Sequence, residues 1–409
     1  MTHPHPPPPR APAVALFFVR RLRRALWCAA IPFFATAGTA ATLADFGHEN
    51  MTVNGKAALG VRPAVIILLD LANSGTFSHP SSYYGEYVFN PSNTTTAGVR
   101  SANGFLLANS HGRFSIAPAG VGIVGPVQLS DSDRMAALGD DVKKAGLAIN
   151  AAALAGFNFA PFDSDGNGRV TTDELLILIF DNSSTEDSGA ARAANPTGLN
   201  PDTTFNAFTP PGSSVSMLVH TVILTQNVSF ATLCHELIHL LGAKDLYGIW
   251  GQKTCYGGKY TVMSCTILEP ADLATQEFNT FHLDAWHKMQ LGWVEPRIRE
   301  ISASVVETIT AAQSPTATDA PVILYDPAHG TDEFFLLEYR TNQINTGSLG
   351  YEDDLPSNGL CIWHVVHDGN KNLIEWENIG QSVWLAGQPL LGRGQDSRMA
   401  WTSATITPP

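Results

Sequence analysis

His235, Glu236 and His239 stand in the run His235-Glu236-Leu237-Ile238-His239, two imidazoles four residues apart with a carboxylate beside the first. On a helix, residues four apart share a face, so both imidazoles can reach one metal ion. Glu236 lies about 100° round such a helix from His235. That keeps it out of the coordination sphere but next to a water bound there, where a general base belongs. The run continues through Leu240, Leu241, Gly242, Ala243 and Lys244 to Asp245. Glycine is the residue that ends a helix in a left-handed turn, and such a turn brings Asp245 back as a third ligand. The fourth position is then left to water, the open coordination of a catalytic zinc site. In the long form of this motif the third ligand is a histidine, so Asp245 is a substitution, and Glu269 and Glu277 are alternatives.

The flanking residues predict the helix independently. Phe230, Leu233, Leu237 and Leu241 recur at three- and four-residue steps and form one apolar stripe, with the histidines and Glu236 on the other side. Asn227 or Ser229 could cap the start.

A second constellation suits a harder cation. Asp163, Asp165 and Asn167 stand at positions one, three and five of a twelve-residue loop, with Gly168 at the turn, position six, and Glu174 at the end. With the backbone carbonyl of Arg169 at position seven, these match the calcium loop of an EF-hand. The alternative is an Asp/Gly-rich turn with no ion. A paired EF-hand protein is not expected, because there is one loop only. The following Leu175-Leu176-Ile177-Leu178-Ile179-Phe180 reads as a buried strand, not as an exiting amphipathic helix. A structural Ca2+ inside a larger fold is the expectation.

The run from His235 through Gly242 and Asp245 to Tyr247 resembles the signature of the immune-inhibitor-A-like secreted metallopeptidases, whose zinc helix continues into a Gly-x-x-Asp-x-Tyr turn. Other stretches follow in that family's order: Ala64 to Asp70, Asn109 to Phe114, Tyr260 to Ser264, Leu283 to Trp286 running on to Leu291-Gly292-Trp293, Glu333 to Arg340, and Gly359 to His364. The similarity covers about residues 60 to 370. It implies an α+β fold: a zincin- or metzincin-like catalytic domain with a mixed sheet and a zinc-binding active-site helix, and a β-rich C-terminal part. It also implies one catalytic Zn2+ on His235, His239 and Asp245, with Glu236 as base, and an Asp-rich segment near the calcium loop. Met263 resembles the methionine turn that such enzymes place beneath the metal. Tyr247 and Tyr260 are candidate donors to a developing oxyanion.

Composition sets outer bounds. The 409 residues carry a net charge of −13 with only 15% charged residues, which argues against a nucleic-acid or anionic-membrane surface. Residues 1–41 read as a signal peptide: the basic Arg20-Arg21-Leu22-Arg23-Arg24, an apolar run from Ala25 to Ala37, and small residues at Ala35-Thr36-Ala37 and Gly38-Thr39-Ala40 that suit cleavage. The run contains Pro32 and falls short of the roughly 20 residues of a membrane span, so a secreted chain with no span after cleavage is expected. Four cysteines then remain, Cys234, Cys255, Cys265 and Cys361. An even count in an exported protein suggests disulfides, Cys255 with Cys265 as the best local pair and Cys234 left for Cys361.

The rest of the chain must position the site. Val65 to Leu69 reads as a buried central strand, and the next fifty residues read mainly as loops. Ser132 to Leu154 turns helical, with Leu138, Val142 and Leu147 on one buried face. Asp181 to Pro211 reads as a polar surface excursion, and Val215 to Leu224 as an edge strand able to align a substrate main chain. After Ile301, the runs 322–325, 334–339 and 360–366 are strand-like. His364 and His367 fall together there, more as structural histidines than as cleft residues. The domain plan is a catalytic domain over 42–385, divided at about 242, and a tail over 386–409. The function expected is a secreted zinc endopeptidase acting on protein or peptide. A zinc hydrolase of other amides or esters, and a calcium-stabilised binding protein on the same scaffold, are the alternatives.

Overall fold

The computed structural model describes residues 40–51, 57–92, 100–198, 206–246, 260–264, 280–301, 307–312, 314, 321–341, 351–352, 355, 358–368, 370 and 388–389. The chain divides into two units, 1–40 and 41–409, and everything below concerns the second. Apart from Ala40 and Ala41, the expected leader lies outside the described residues. Among those residues no helix is long and apolar enough to cross a membrane.

The fold is mixed α/β, built on a five-stranded sheet. Strand β1 (Gly60–Asp70) lies between β2 (Phe114–Gln128) and β4 (Leu176–Asp181), parallel to both. Alternate residues of β1 face opposite layers. Ala64, Ile66 and Leu68 enter one core, and Val65, Ile67 and Leu69 enter the other. Burial on both faces is why this strand reads as an unbroken apolar run, and β4 is buried throughout for the same reason. Helices α1 (Ser81–Phe89), α2 (Ala102–Asn109) and α5 (Phe230–His239) contribute to the first core. Helix α4 (Asp141–Leu154) covers the second, beside α3 (Asp131–Leu138).

Three expectations need correction. The stretch after Asp70 is not mainly loop, since it holds α1, α2 and the fifteen-residue β2. Pro118, Gly120, Gly122, Gly125 and Pro126 interrupt the alternation of β2, and its pairing with β1 shifts register twice. An edge strand tolerates such residues because one side of it has no ladder to satisfy. The helical span 132–154 is two helices, broken at Gly139, with Asp140 capping α4 by accepting from the Val142 and Lys143 amides. Leu147 is buried as expected, but Leu138, at the end of α3, is 46% exposed.

The third correction concerns the sheet edge. Val215 to Leu224 contains β6 (Ser216–Leu218), which pairs with β3 (Arg169–Thr171), and most of β7 (His220–Thr225). Strand β7 is internal, parallel to β4 on one side and antiparallel to β5 (Gly189–Ala193) on the other. The sheet order β2-β1-β4-β7-β5 therefore puts β5 at the edge, inside the segment that reads as a surface excursion. Its Gly-Ala-Ala-Arg-Ala sequence carries no alternation of large apolar residues, so no period announces it.

A second sheet has the order β12-β11-β10-β9-β8. Strands β9 (Val322–Tyr325), β10 (Glu333–Arg340) and β11 (Gly359–Val366) coincide with the three predicted runs. Strand β8 (Arg297–Glu300) adds parallel to β9, and β12 (Gln388–Pro389) pairs with β11 from within the segment expected to be a tail. Ile323, Phe334, Leu336, Trp363 and Val365 belong to the same core as α2 and α5, so one hydrophobic layer spans both sides of residue 242.

The chain before β1 is tied to the end of α6 (Ala285–Gln290). The Glu49 amide donates to Met289, that of Met51 to Gln290 and that of Ala58 to Leu291, and the Trp293 indole donates to the Ala58 carbonyl.

Candidate metal centre

Ser229 caps α5, its side chain accepting from the Thr232 amide. Phe230, Leu233, Leu237 and Leu241 are all buried, as the apolar stripe requires. The helix ends at His239 and the chain reverses through Gly242 at φ 98°. Glycine is needed there twice over: the left-handed backbone disfavours a side chain, and an added Cβ would stand 1.9 Å from the Met51 carbonyl oxygen.

This turn brings Asp245 against the two histidines. His235 Nε2 lies 3.1 Å from His239 Nε2 and 3.1 Å from Asp245 Oδ1, and His239 Nε2 lies 3.2 Å from the same oxygen. The opposite nitrogens are spoken for. His235 Nδ1 donates to the Val262 carbonyl at 2.8 Å, and His239 Nδ1 donates to the Ala243 carbonyl at 2.8 Å. A carbonyl accepts only, so each neutral imidazole carries its proton on Nδ1 and presents a bare Nε2 lone pair to the centre. Three electron-pair donors thus converge. A tetrahedral zinc with bonds of roughly 2.0–2.1 Å sets its ligands about 3.3 Å apart, which the donor set fits.

The electrostatics of the set follow from the same contacts. Burial alone would lower the His239 pKa, but the Asp245 carboxylate, and Glu236 beyond it, raise it above the ordinary histidine value. Burial works to raise the Asp245 pKa, and the facing His235 and His239 rings override it and hold the carboxyl well below the usual range. A cation bound among the three donors would satisfy all of them at once.

Glu236 is half-buried and is not one of the converging donors, as its helical position requires. Edge strand β5 runs against its side chain, with Gly189 at the contact.

Beneath the histidines, Thr261, Val262, Met263 and Ser264 form a fully buried turn. It supports both halves of the site, since the Val262 carbonyl orients His235 and the Met263 carbonyl accepts from the Leu246 amide at 2.8 Å. Met263 itself is packed in the core.

Sequence reasoning gave no role to Asp284 or His287. Asp284 accepts from the Thr261 hydroxyl and from His287 Nδ1, both at 2.7 Å, and caps α6 by accepting from the His287 amide. The Lys244 amide donates to His287 Nε2 at 3.3 Å. The Asp-x-x-His spacing at a helix start was the available signal, and it reads as an ordinary cap.

In the second constellation, oxygens of Asp163, Asp165 and Glu174 lie within 4.8 Å of one another. Gly166 and Gly168 take positive φ, and β3 covers loop positions seven to nine. The Asn167 side-chain amide donates to Asp165 at 2.8 Å, and Arg169 is the first residue of β3. Glu174 uses both oxygens within the loop, accepting from Ser164 and from Thr171. Burial pushes its pKa up, but these donors prevail and hold it below the usual carboxylate value.

His364 pairs with Glu333 at 3.0 Å, and His367 Nε2 accepts from the Trp286 indole at 2.8 Å, so both have structural partners. Cys234 and Cys361 are buried free thiols, and the pairing expected between them is absent. Each sits in the packed core, where burial raises its thiol pKa. Tyr260 is buried and its carbonyl accepts from Arg340. Tyr247, Cys255, Cys265, Glu269 and Glu277 lie outside the described residues. No protein-family model matches this chain, and no curated protein matches it.

Proposed function

We propose that the chain is a zinc-dependent endopeptidase with a zincin-like catalytic fold, exported by its leader and acting on protein or peptide substrates. The observation that carries the reading is the approach of three lone-pair donors to 3.1–3.2 Å at the end of an HExxH helix, with both histidines locked in the metal-binding tautomer. His235, His239 and Asp245 would hold the ion. Bound there, zinc would supply a Lewis acid for the scissile carbonyl and a water whose pKa falls from 15.7 to about 7. Glu236 accepts the proton of the attacking water and delivers it to the leaving amine. The outer edge of β5, beside Glu236, offers main-chain groups for an extended peptide, and pairing with them would orient the scissile bond by strand addition. A Ca2+ in the 163–174 loop would act at a distance from this chemistry, as a clamp on β3 and β6.

Metal analysis and casein digestion on the wild type and Glu236→Ala test this. The expected result is stoichiometric zinc in both proteins and chelator-sensitive cleavage in the wild type alone. A wild-type chain that binds no zinc, or that cleaves equally well after Glu236→Ala, sinks the reading.

A further inference from the structure

Asp284 and His287 are wholly buried, and neither belongs to the group of converging donors. Their hydrogen bonds run to both segments that support the metal ligands. One Asp284 oxygen accepts from Thr261 and from His287 Nδ1. Thr261 in turn accepts from the Met263 amide at 3.2 Å, closing the turn whose Val262 carbonyl orients His235. On the other branch, a proton on His287 Nδ1 leaves Nε2 as the acceptor for the Lys244 amide, one residue before Asp245.

We infer that Asp284 is a positioning residue for the metal site: through Thr261 it sets the turn that orients His235, and through His287 it sets the loop that presents Asp245. The inference rests on the zinc reading above. Its chemistry depends on a carboxylate. Asn at 284 still accepts the His287 amide with its one oxygen, but its NH2 group then meets two donors, the Thr261 hydroxyl and His287 Nδ1–H. His287 escapes that clash only by moving its proton to Nε2, which then points at the Lys244 N–H, donor against donor. The Asp245 loop has to shift.

The test is zinc affinity of the full chain, stripped of metal and titrated against a chromophoric chelator at one pH, with the Co2+ absorption spectrum and the metal-free melting temperature recorded beside it. Asp284→Asn and Thr261→Val should each weaken zinc by about 10–100-fold and alter the Co2+ bands. Thr261→Ser, which keeps the hydroxyl, should match the wild type. Ile149→Val, a mild cavity in the opposite core, should lower the melting temperature and leave zinc affinity unchanged. Thr261→Val interrupts the same branch without touching the buried charge, so the test stands even where Asp284→Asn fails to fold. Unchanged affinity in Thr261→Val, or a loss in Ile149→Val equal to it, overturns the inference while leaving the zinc site intact. A wild type that binds no zinc overturns the metal reading, and this inference with it.

Discussion

Gly189 on the edge strand lies directly against Glu236: a Cβ added to Gly189 would stand 2.9 Å from Glu236 Cγ and 2.7 Å from Thr232 Cγ2. The strand that would align a substrate and the side chain that would move the proton are therefore packed together, and only a missing methyl group lets them fit. Gly189→Ala should push Glu236 aside while the three metal donors stay in place. A misplacement of this kind costs on the order of 100-fold in turnover. Steady-state kinetics with zinc content measured in parallel would show kcat falling at constant metal. An unchanged kcat would mean that Glu236 has room to spare.

Gly242→Ala acts on the other side of the helix. The left-handed backbone and the Met51 carbonyl both oppose a side chain. Strain and overpacking of this sort cost about 1–3 kcal/mol each. The expected outcome is a melting temperature lower by several degrees together with weakened zinc binding, read by differential scanning calorimetry and metal titration. Retention of both would remove the turn from the account of the site.

Acid sensitivity should come in two windows. Burial, with Lys288 and Arg113 nearby, lowers the His111 pKa from 6.5 to about 3, against the opposing bond to Ser314. The unfolded chain therefore binds this proton more readily, so stability is full above pH 6.5 and declines as pH falls toward 3. Buried His282 is lowered in the same direction. Burial tends to raise the Asp284 pKa, but His287 and Thr261 bring it down from 3.8 to about 2, so its contribution is present above 3.8 and is lost as pH falls through 2. Urea unfolding from pH 7 to pH 2 should show both slopes, and His111→Gln should flatten the upper one. A stability constant from pH 7 to pH 4 would contradict this.

Calcium should stabilise the chain through the 163–174 loop. Ligand at 100 times its dissociation constant adds about 2.7 kcal/mol. The melting temperature should rise with Ca2+ in the wild type and not in Asp163→Asn or Glu174→Gln. An equal rise in all three would place calcium elsewhere.

Arg340 is buried between Glu338 and Glu352 and also donates to the Tyr260 carbonyl, just before the turn under the histidines. Arg340→Met leaves buried carboxylates uncompensated, a loss of roughly 3–5 kcal/mol. Denaturant unfolding measures it, and a change below about 1 kcal/mol, the scale of an exposed pair, would show that water reaches the cluster.

The parts of this fold legible in the sequence are those where one residue has one job. The α5 stripe, the Ser229 cap, the Gly242 turn and the return of Asp245 each follow from local chemistry, as do the unbroken runs of β1 and β4. What escaped depends on distant partners. Strand β5 opens on Gly189 because α5 presses on it there, and β2 carries Gly and Pro because it borders the sheet. Asp284 and His287 look like a plain helix start until residues 244 and 261 arrive from elsewhere in the chain. The Cys234–Cys361 pairing failed because an even count says nothing of distance, and both thiols fill core positions.

The contacts of Met51 and Ala58 give the molecule an order of assembly. The Ala58 carbonyl waits for an indole 235 residues further on, and the Met51 carbonyl closes on the bend after α5. Contacts so far apart in the chain are slow to form. A nascent polypeptide lacks the partner of Ala58 until Trp293 has left the ribosome, so this corner of the protein cannot lock before then.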